Sequence, residues 1–183
     1  MSRRLGLAAV IAFALGGCAS APVPSCARLA LSGWFCPLPP AALAPRTGVA
    51  LITVQQDAHK SVYVGQLAIT ATALRLALAN PAGVPLATLV WDGSTASVNP
   101  TGTGLQPKLL LALLELTYTN PERLQSGLHG LSLDKVMTPA GPRRTLRAEE
   151  TIVAVVEYTG ENVRVNVPRA HLTVTIQPLA GER

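Results

Sequence analysis

"LRLALANPAGV", residues Leu74 to Val84, is the stretch whose reading decides the fold. Leu74, Leu76 and Leu78 alternate with Arg75, Ala77 and Ala79. That two-residue period belongs to a strand with one face turned inward. The run breaks at Asn80-Pro81-Ala82-Gly83, a turn composition, and Val84 to Trp91 resumes as a strand. Three leucines on one side either fill an ordinary core or line a space that receives a greasy ligand.

The flanking sequence continues the pattern. Val49 to Gln56 is rich in Val, Ile and Thr, and Ser61 to Thr70 follows a polar turn at Asp57 to Lys60. Asp92-Gly93 is a short hairpin signal, with Thr95 to Val98 as the return strand. These spacings predict an antiparallel meander. Gly102-Thr103-Gly104 is too short to cradle phosphate and reads as a loop. "PKLLLALLELT", Pro107 to Thr117, then opens a helix whose leucines at 109, 110, 111, 113, 114 and 116 leave little polar face. Such a helix must be covered nearly all round. Asn120-Pro121-Glu122 has the cap, first-turn proline and acid of a second short helix reaching Leu128.

Strands return in the tail, at 131–137, 144–149 and 152–158. Val163, Val165 and Val167, then Leu172, Val174 and Ile176, alternate most clearly. The order is therefore strands, leucine-rich helices, strands. A bent sheet with one apolar face needs a cover, and inside the domain the helical segment is the candidate. The expected fold is mainly β with a short helical lid. Its walls would come from Leu74, Leu76, Leu78, Leu86, Val165, Val174 and Ile176, and its lid from Leu110, Leu113 and Leu114.

The N-terminus carries an address. Arg3 and Arg4 precede an uncharged apolar run, Leu5 to Leu15, and then Leu15-Gly16-Gly17-Cys18. A basic start, a short apolar run and small residues before the cut make a secretory signal. The run is shorter than the ~20 residues a spanning helix needs. A cysteine after Leu-Gly-Gly matches the bacterial lipoprotein signal, in which Cys18 becomes the acylated first residue, carrying palmitate-class chains. More than one acyl chain is enough for stable anchoring. Ala19 and Ser20 follow in place of the aspartate that retains many lipoproteins in the inner membrane, which favours the periplasmic face of the outer membrane.

Without Arg3 and Arg4, 13 basic residues face 10 acidic ones. The basic residues are scattered apart from Arg143, Arg144 and Arg147, which read as a solvated strand edge. There is no basic helix and no interleaving of aromatics with charge, so no nucleic acid is expected. Cys26 and Cys36 meet an oxidising compartment, where a disulfide is favoured over metal binding by two cysteines without nearby histidines. Residues 19 to 47, rich in Ala, Pro and Ser, read as an extended spacer. Trp34 and Phe35 either pack on the domain's edge or lie at the lipid interface.

Catalysis finds little support. His59 and His129 fall in expected turns, and His171 starts a strand. No Gly-x-Ser-x-Gly elbow occurs. Glu149 and Glu150 are adjacent, and neighbours on a strand face opposite ways. No cluster has metal-ligand spacing. Neither an enzyme nor a cofactor is expected.

"LRLALANPAGVPLATLVWDG" resembles the strand-turn-strand of LolB, the outer-membrane receptor for lipoproteins. A closer resemblance is to LolB-like bacterial lipoproteins associated with aryl-polyene biosynthesis clusters. These similarly combine a lipobox, here Cys18; two nearby cysteines followed by Pro and Leu, here Cys26 and Cys36-Pro37-Leu38; an apolar helix pair, here 107–128; and a strand like Val153 to Gly160. The resemblance implies a LolA/LolB-like incomplete antiparallel β-barrel with an apolar cavity for acyl chains. It also implies a periplasmic LolA-like carrier as donor. In that family the turn projects a leucine toward cargo and membrane. Here the turn is Pro81, Ala82 and Gly83, and alanine offers far less apolar surface. The chain is thus read as a signal peptide (1–17), an acylated N-terminus and Pro/Ala-rich tether (18–47), a half-barrel domain (48–179) and a tail (180–183). The expected function is to bind an acyl or polyene lipid, or lipoprotein acyl chains, and assist delivery to the outer membrane. The alternative is a non-transporting envelope scaffold without a ligand cavity.

Overall fold

Ten strands pair into one antiparallel sheet in the computed structural model, which describes residues 26–100 and 107–179. Ahead of them, β1 (Ala27–Arg28) and β2 (Trp34–Phe35) form a small hairpin. The first meander is β3 (Arg46–Gln56), β4 (His59–Ile69), β5 (Leu74–Ala79), β6 (Pro85–Trp91) and β7 (Ala96–Pro100). The helices α1 (Pro107–Tyr118) and α2 (Pro121–Leu124) follow, with a tight turn leading to β8 (Leu128–His129). The second meander is β9 (Ser132–Thr138), β10 (Gly141–Ala148), β11 (Thr151–Thr159), β12 (Asn162–Val167) and β13 (Leu172–Pro178).

The sheet order is β7-β6-β5-β4-β3-β13-β12-β11-β10-β9. The meanders join where the last strand meets the first, with Ile52 opposite Ile176 and Val54 opposite Val174. Strands β7 and β9 are left as opposite, unjoined edges, so the barrel is incomplete. Bulges between Leu78 and Ala79 and between Leu146 and Arg147 interrupt the ladders, where extra twist bends a strand. Because the chain leaves at one edge and re-enters at the other, it must cross the sheet. The segment containing α1 makes that crossing over the apolar face.

Alternation decides which residues meet it. Leu74, Leu76 and Leu78 are buried, and Arg75 and Ala77 are exposed. Val163, Val165 and Val167, then Leu172, Val174 and Ile176, repeat the pattern. In α1 every residue from Leu111 to Thr117 is buried. The sheet can cover one side only, and the other is closed by the N-terminal segment, where Phe35 is fully buried and Leu38 and Leu43 nearly so.

The reading of 18–47 as an extended spacer therefore does not hold for its described part. Residues 26–43 are an outer wall of the core, because α1 has no polar face to present to water. The wall is fastened by a bond between Cys26 and Cys36, by pairing of β2 with β8, and by the Cys36 amide donating to Gly127 O at 2.8 Å. A side chain at Gly127 would collide with Cys36 O, so only glycine admits the wall this closely. The signal peptide (1–17), Cys18, the loop at Gly102 to Gly104 and the tail (180–183) lie outside the described residues.

The disulfide closes a loop with ten residues of sequence separation. Replacing both Cys26 and Cys36 by alanine should lower unfolding free energy by about 3 kcal/mol. Urea titrations should show a loss in the wild-type chain on adding reductant and none in the variant.

Candidate functional site

An apolar hollow of about 30 Å³ lies under the first half of α1. It is lined by Ile52 and Val54 of β3, Tyr63 of β4, Leu78 of β5, Leu172 and Val174 of β13, and Leu109, Leu110 and Leu113 of α1. Of the expected wall residues, Leu78 and Val174 border this hollow. Leu74, Leu76, Val165 and Ile176 are buried on the same inner face but away from it. Leu86 sits at the β5–β6 bulge, half-buried, because Ala87 and Leu89 take the inward positions opposite Leu78 and Leu76. Of the expected lid, Leu110 and Leu113 border the hollow and Leu114 is buried beside it. Ile52, Val54, Tyr63 and Leu172 join the lining because β13 pairs with β3. Their alternation is visible in sequence, but that pairing is not.

Register fixes which end of the barrel this is. Leu172 pairs with Gln56 beside the β3–β4 turn, and Leu78 is the last inward residue before the Asn80–Val84 turn. Pro81, Ala82 and Gly83 are exposed at that same end, and Val84 beside them is 54 % exposed. Gly83 adopts a positive φ of 83°, and the Asn80 side chain accepts from the Val84 amide at 2.9 Å.

The other half of α1 is tied down by polar contacts. Arg144 donates through Nη1 to Leu116 O at 2.7 Å and Thr119 O at 2.8 Å. Tyr158 donates its hydroxyl to Thr117 O at 2.7 Å. The last carbonyls of a helix lack intrahelical partners and carry partial negative charge, so a guanidinium suits them. Arg144 also lies 5.2 Å from the Tyr158 ring, and Arg46 lies 4.8 Å from the ring of Tyr118. The arginine cluster is thus not one solvated edge. Arg143 and Arg147 face Glu157 at 3.8 Å and Asp134 at 3.2 Å, and Arg144 turns inward as the helix clamp.

On the side away from the sheet, fully buried Glu115 accepts through Oε2 from the Leu38 amide at 2.8 Å. Leu38 O in turn accepts from Trp91 Nε1 at 2.7 Å. The outer wall is therefore tied through one residue to both helix and sheet. Burial pushes the Glu115 carboxyl up to about 8, and the Leu38 amide draws it partly back. Among the described residues, the polar ties between α1 and its surroundings fall on Glu115 and the residues after it. The half over the hollow is held by apolar packing.

The chain belongs to a family described as proteins of unknown function, DUF3261, whose model matches residues 48–180. A comparison with curated proteins finds no match.

Two outcomes follow. Arg144→Ala should cost about 2–3 kcal/mol, and Tyr158→Phe about 1 kcal/mol, by chemical denaturation. Glu115 binds its proton more tightly folded than unfolded, where the ordinary value is 4.5. Its contribution is complete below the unfolded value and is lost as pH rises toward 8, at up to about 1.4 kcal/mol per pH unit. Glu115→Gln keeps an acceptor for Leu38 and cannot ionise. The wild type should lose stability relative to this variant between pH 5 and 8 in parallel urea titrations.

Proposed function

We propose that this protein is an outer-membrane lipoprotein, anchored through acylated Cys18, that carries an acyl or polyene-lipid chain in its half-barrel. The observation that carries the reading is the apolar hollow beneath the half of α1 that has no polar tie among the described residues. Among the described residues no polar tie fastens that half, and Arg144 and Tyr158 hold the other end as a pivot. Binding would be driven by apolar burial and would need no cofactor, energy source or catalytic group. The resemblance to LolB-like lipoproteins supports the same reading, with a periplasmic LolA-like carrier as donor.

The size of the hollow sets the terms. An apolar cavity of ~150 Å³ is needed to take a single benzene. At about 30 Å³ the hollow is a closed state, and a hydrocarbon tail enters only when Leu109, Leu110 and Leu113 move off Ile52, Val54 and Leu172. The same closure favours the second reading, an envelope scaffold whose interior is simply core. Delivery of lipoproteins as cargo has less support. The turn residue that would project a leucine is Ala82, with Val84 the nearest exposed apolar side chain.

The test is native mass spectrometry of the chain from residue 19 onward, lacking the signal and Cys18, purified from a lipid-containing host. The carrier reading expects co-purifying lipid and uptake of a fluorescent fatty acid. Leu110→Phe, which fills the hollow, should reduce that uptake at least tenfold with the circular dichroism spectrum unchanged. A lipid-free mass together with no uptake would establish the scaffold instead.

A further inference from the structure

The small sheet formed by β1, β2 and β8 has two unlike faces. Ala27 and Phe35 are buried in the core, with half-buried Leu128 opposite Phe35. The other face carries one row across the three strands. Arg28 is opposite Trp34, Trp34 is opposite His129, and all three are exposed. The Arg28 guanidinium lies 5.4 Å from the Trp34 ring and donates to Ala30 O at 3.2 Å and Leu31 O at 2.7 Å. It thereby fixes the tip of the hairpin. That tip displays Leu31 at 77 % exposure beside Trp34 at 43 %, the largest exposures of a leucine and of a tryptophan among the described residues.

The position of the tip matters as much as its composition. Gly33 lies so close to Leu131 that an added Cβ would collide with it, so the tip sits at the start of β9. Ser132 pairs with Arg147, beside the Glu149–Glu150 turn. That is the end of the sheet at which Val167 meets Leu172, the end that holds the hollow and the Asn80–Val84 turn. Leu31, Trp34 and Val84 are exposed at this one end.

We propose that the hairpin tip is a membrane-contact surface, seated in the interface of the bilayer that holds Cys18, so that the hollow's end of the barrel faces lipid. The proposal rests on the lipoprotein reading above. Cys26 comes eight positions after Cys18, a reach of no more than about 28 Å for extended chain. The hairpin is therefore the described element nearest the anchor along the chain. Its chemistry fits that boundary: tryptophan favours the interface, leucine the acyl region and arginine anionic headgroups. The Cys26–Cys36 bond and the Arg28 contacts order the tip beforehand, so contact costs little conformational entropy.

The test uses the acylated full-length protein in vesicles of phosphatidylethanolamine and phosphatidylglycerol with brominated acyl chains. The chain has two tryptophans, and Trp91 is buried and bonded to Leu38 O. Bromolipid should at least halve the emission that is lost on Trp34→Phe, and leave that of the Trp34→Phe protein within a tenth of its value in plain vesicles. Leu31→Asp, at an exposed position, should cut the wild-type quenching by more than half. Unquenched Trp34 emission from a protein whose mass carries diacylglycerol on Cys18 would overturn the contact surface and leave the anchor standing. A mass without diacylglycerol would overturn the anchor, and the placement with it.

Discussion

The rest of the molecule is arranged around one helix that has no side to offer water. Six leucines in the first ten residues of α1 remove the polar stripe a surface helix keeps. A sheet can satisfy such a helix on one side only, so a second layer is obligatory. The apolar face of ten strands supplies the first, and residues 26–43, stapled and proline-stiffened, supply the second. Burial on both sides is also what isolates Glu115 from solvent and makes a neutral carboxyl the stable form there.

The outer wall solves its hydrogen bonding with few donors. In Pro37-Leu38-Pro39-Pro40 the only backbone N–H belongs to Leu38. That one donor finds the one carboxylate side chain in α1, and the neighbouring carbonyl takes the Trp91 indole. A polar residue inside a leucine run reads as an interruption until the strand of prolines is laid over it. The pair then becomes a registration mark, fixing where the wall lies along the helix.

Much of the fold was legible locally. Strands β5, β12 and β13 carry their alternation in their own residues, and Pro107 and Asn120-Pro121 announce the helix starts. The seam was not, because nothing within Val49–Gln56 or Leu172–Ile176 says that they pair, and the lining of the hollow depends on that pairing. Leu86 illustrates a related failure. Counting by twos from the turn points it inward, and the bulge at Leu78/Ala79 shifts the count by one. The wall was hidden for a compositional reason: Ala, Pro and Ser describe a spacer equally well whether or not Phe35, Leu38 and Leu43 find something to bury against. Arg144 was hidden by its company, since Arg143 and Arg147 on either side do what surface arginines ordinarily do.

The seam between β3 and β13 has a consequence for how the chain comes to its shape. Ile52 waits for Ile176 and Val54 for Val174, partners more than a hundred positions away. A polypeptide threaded outward from its N-terminus releases the first meander long before its central neighbour exists. During that interval the leucine side of β5 and the flank of β3 have no permanent companion, and contacts so distant along the chain are slow to form. Assembly then depends on whatever shields a half-made sheet, and it is completed only when the last strand arrives.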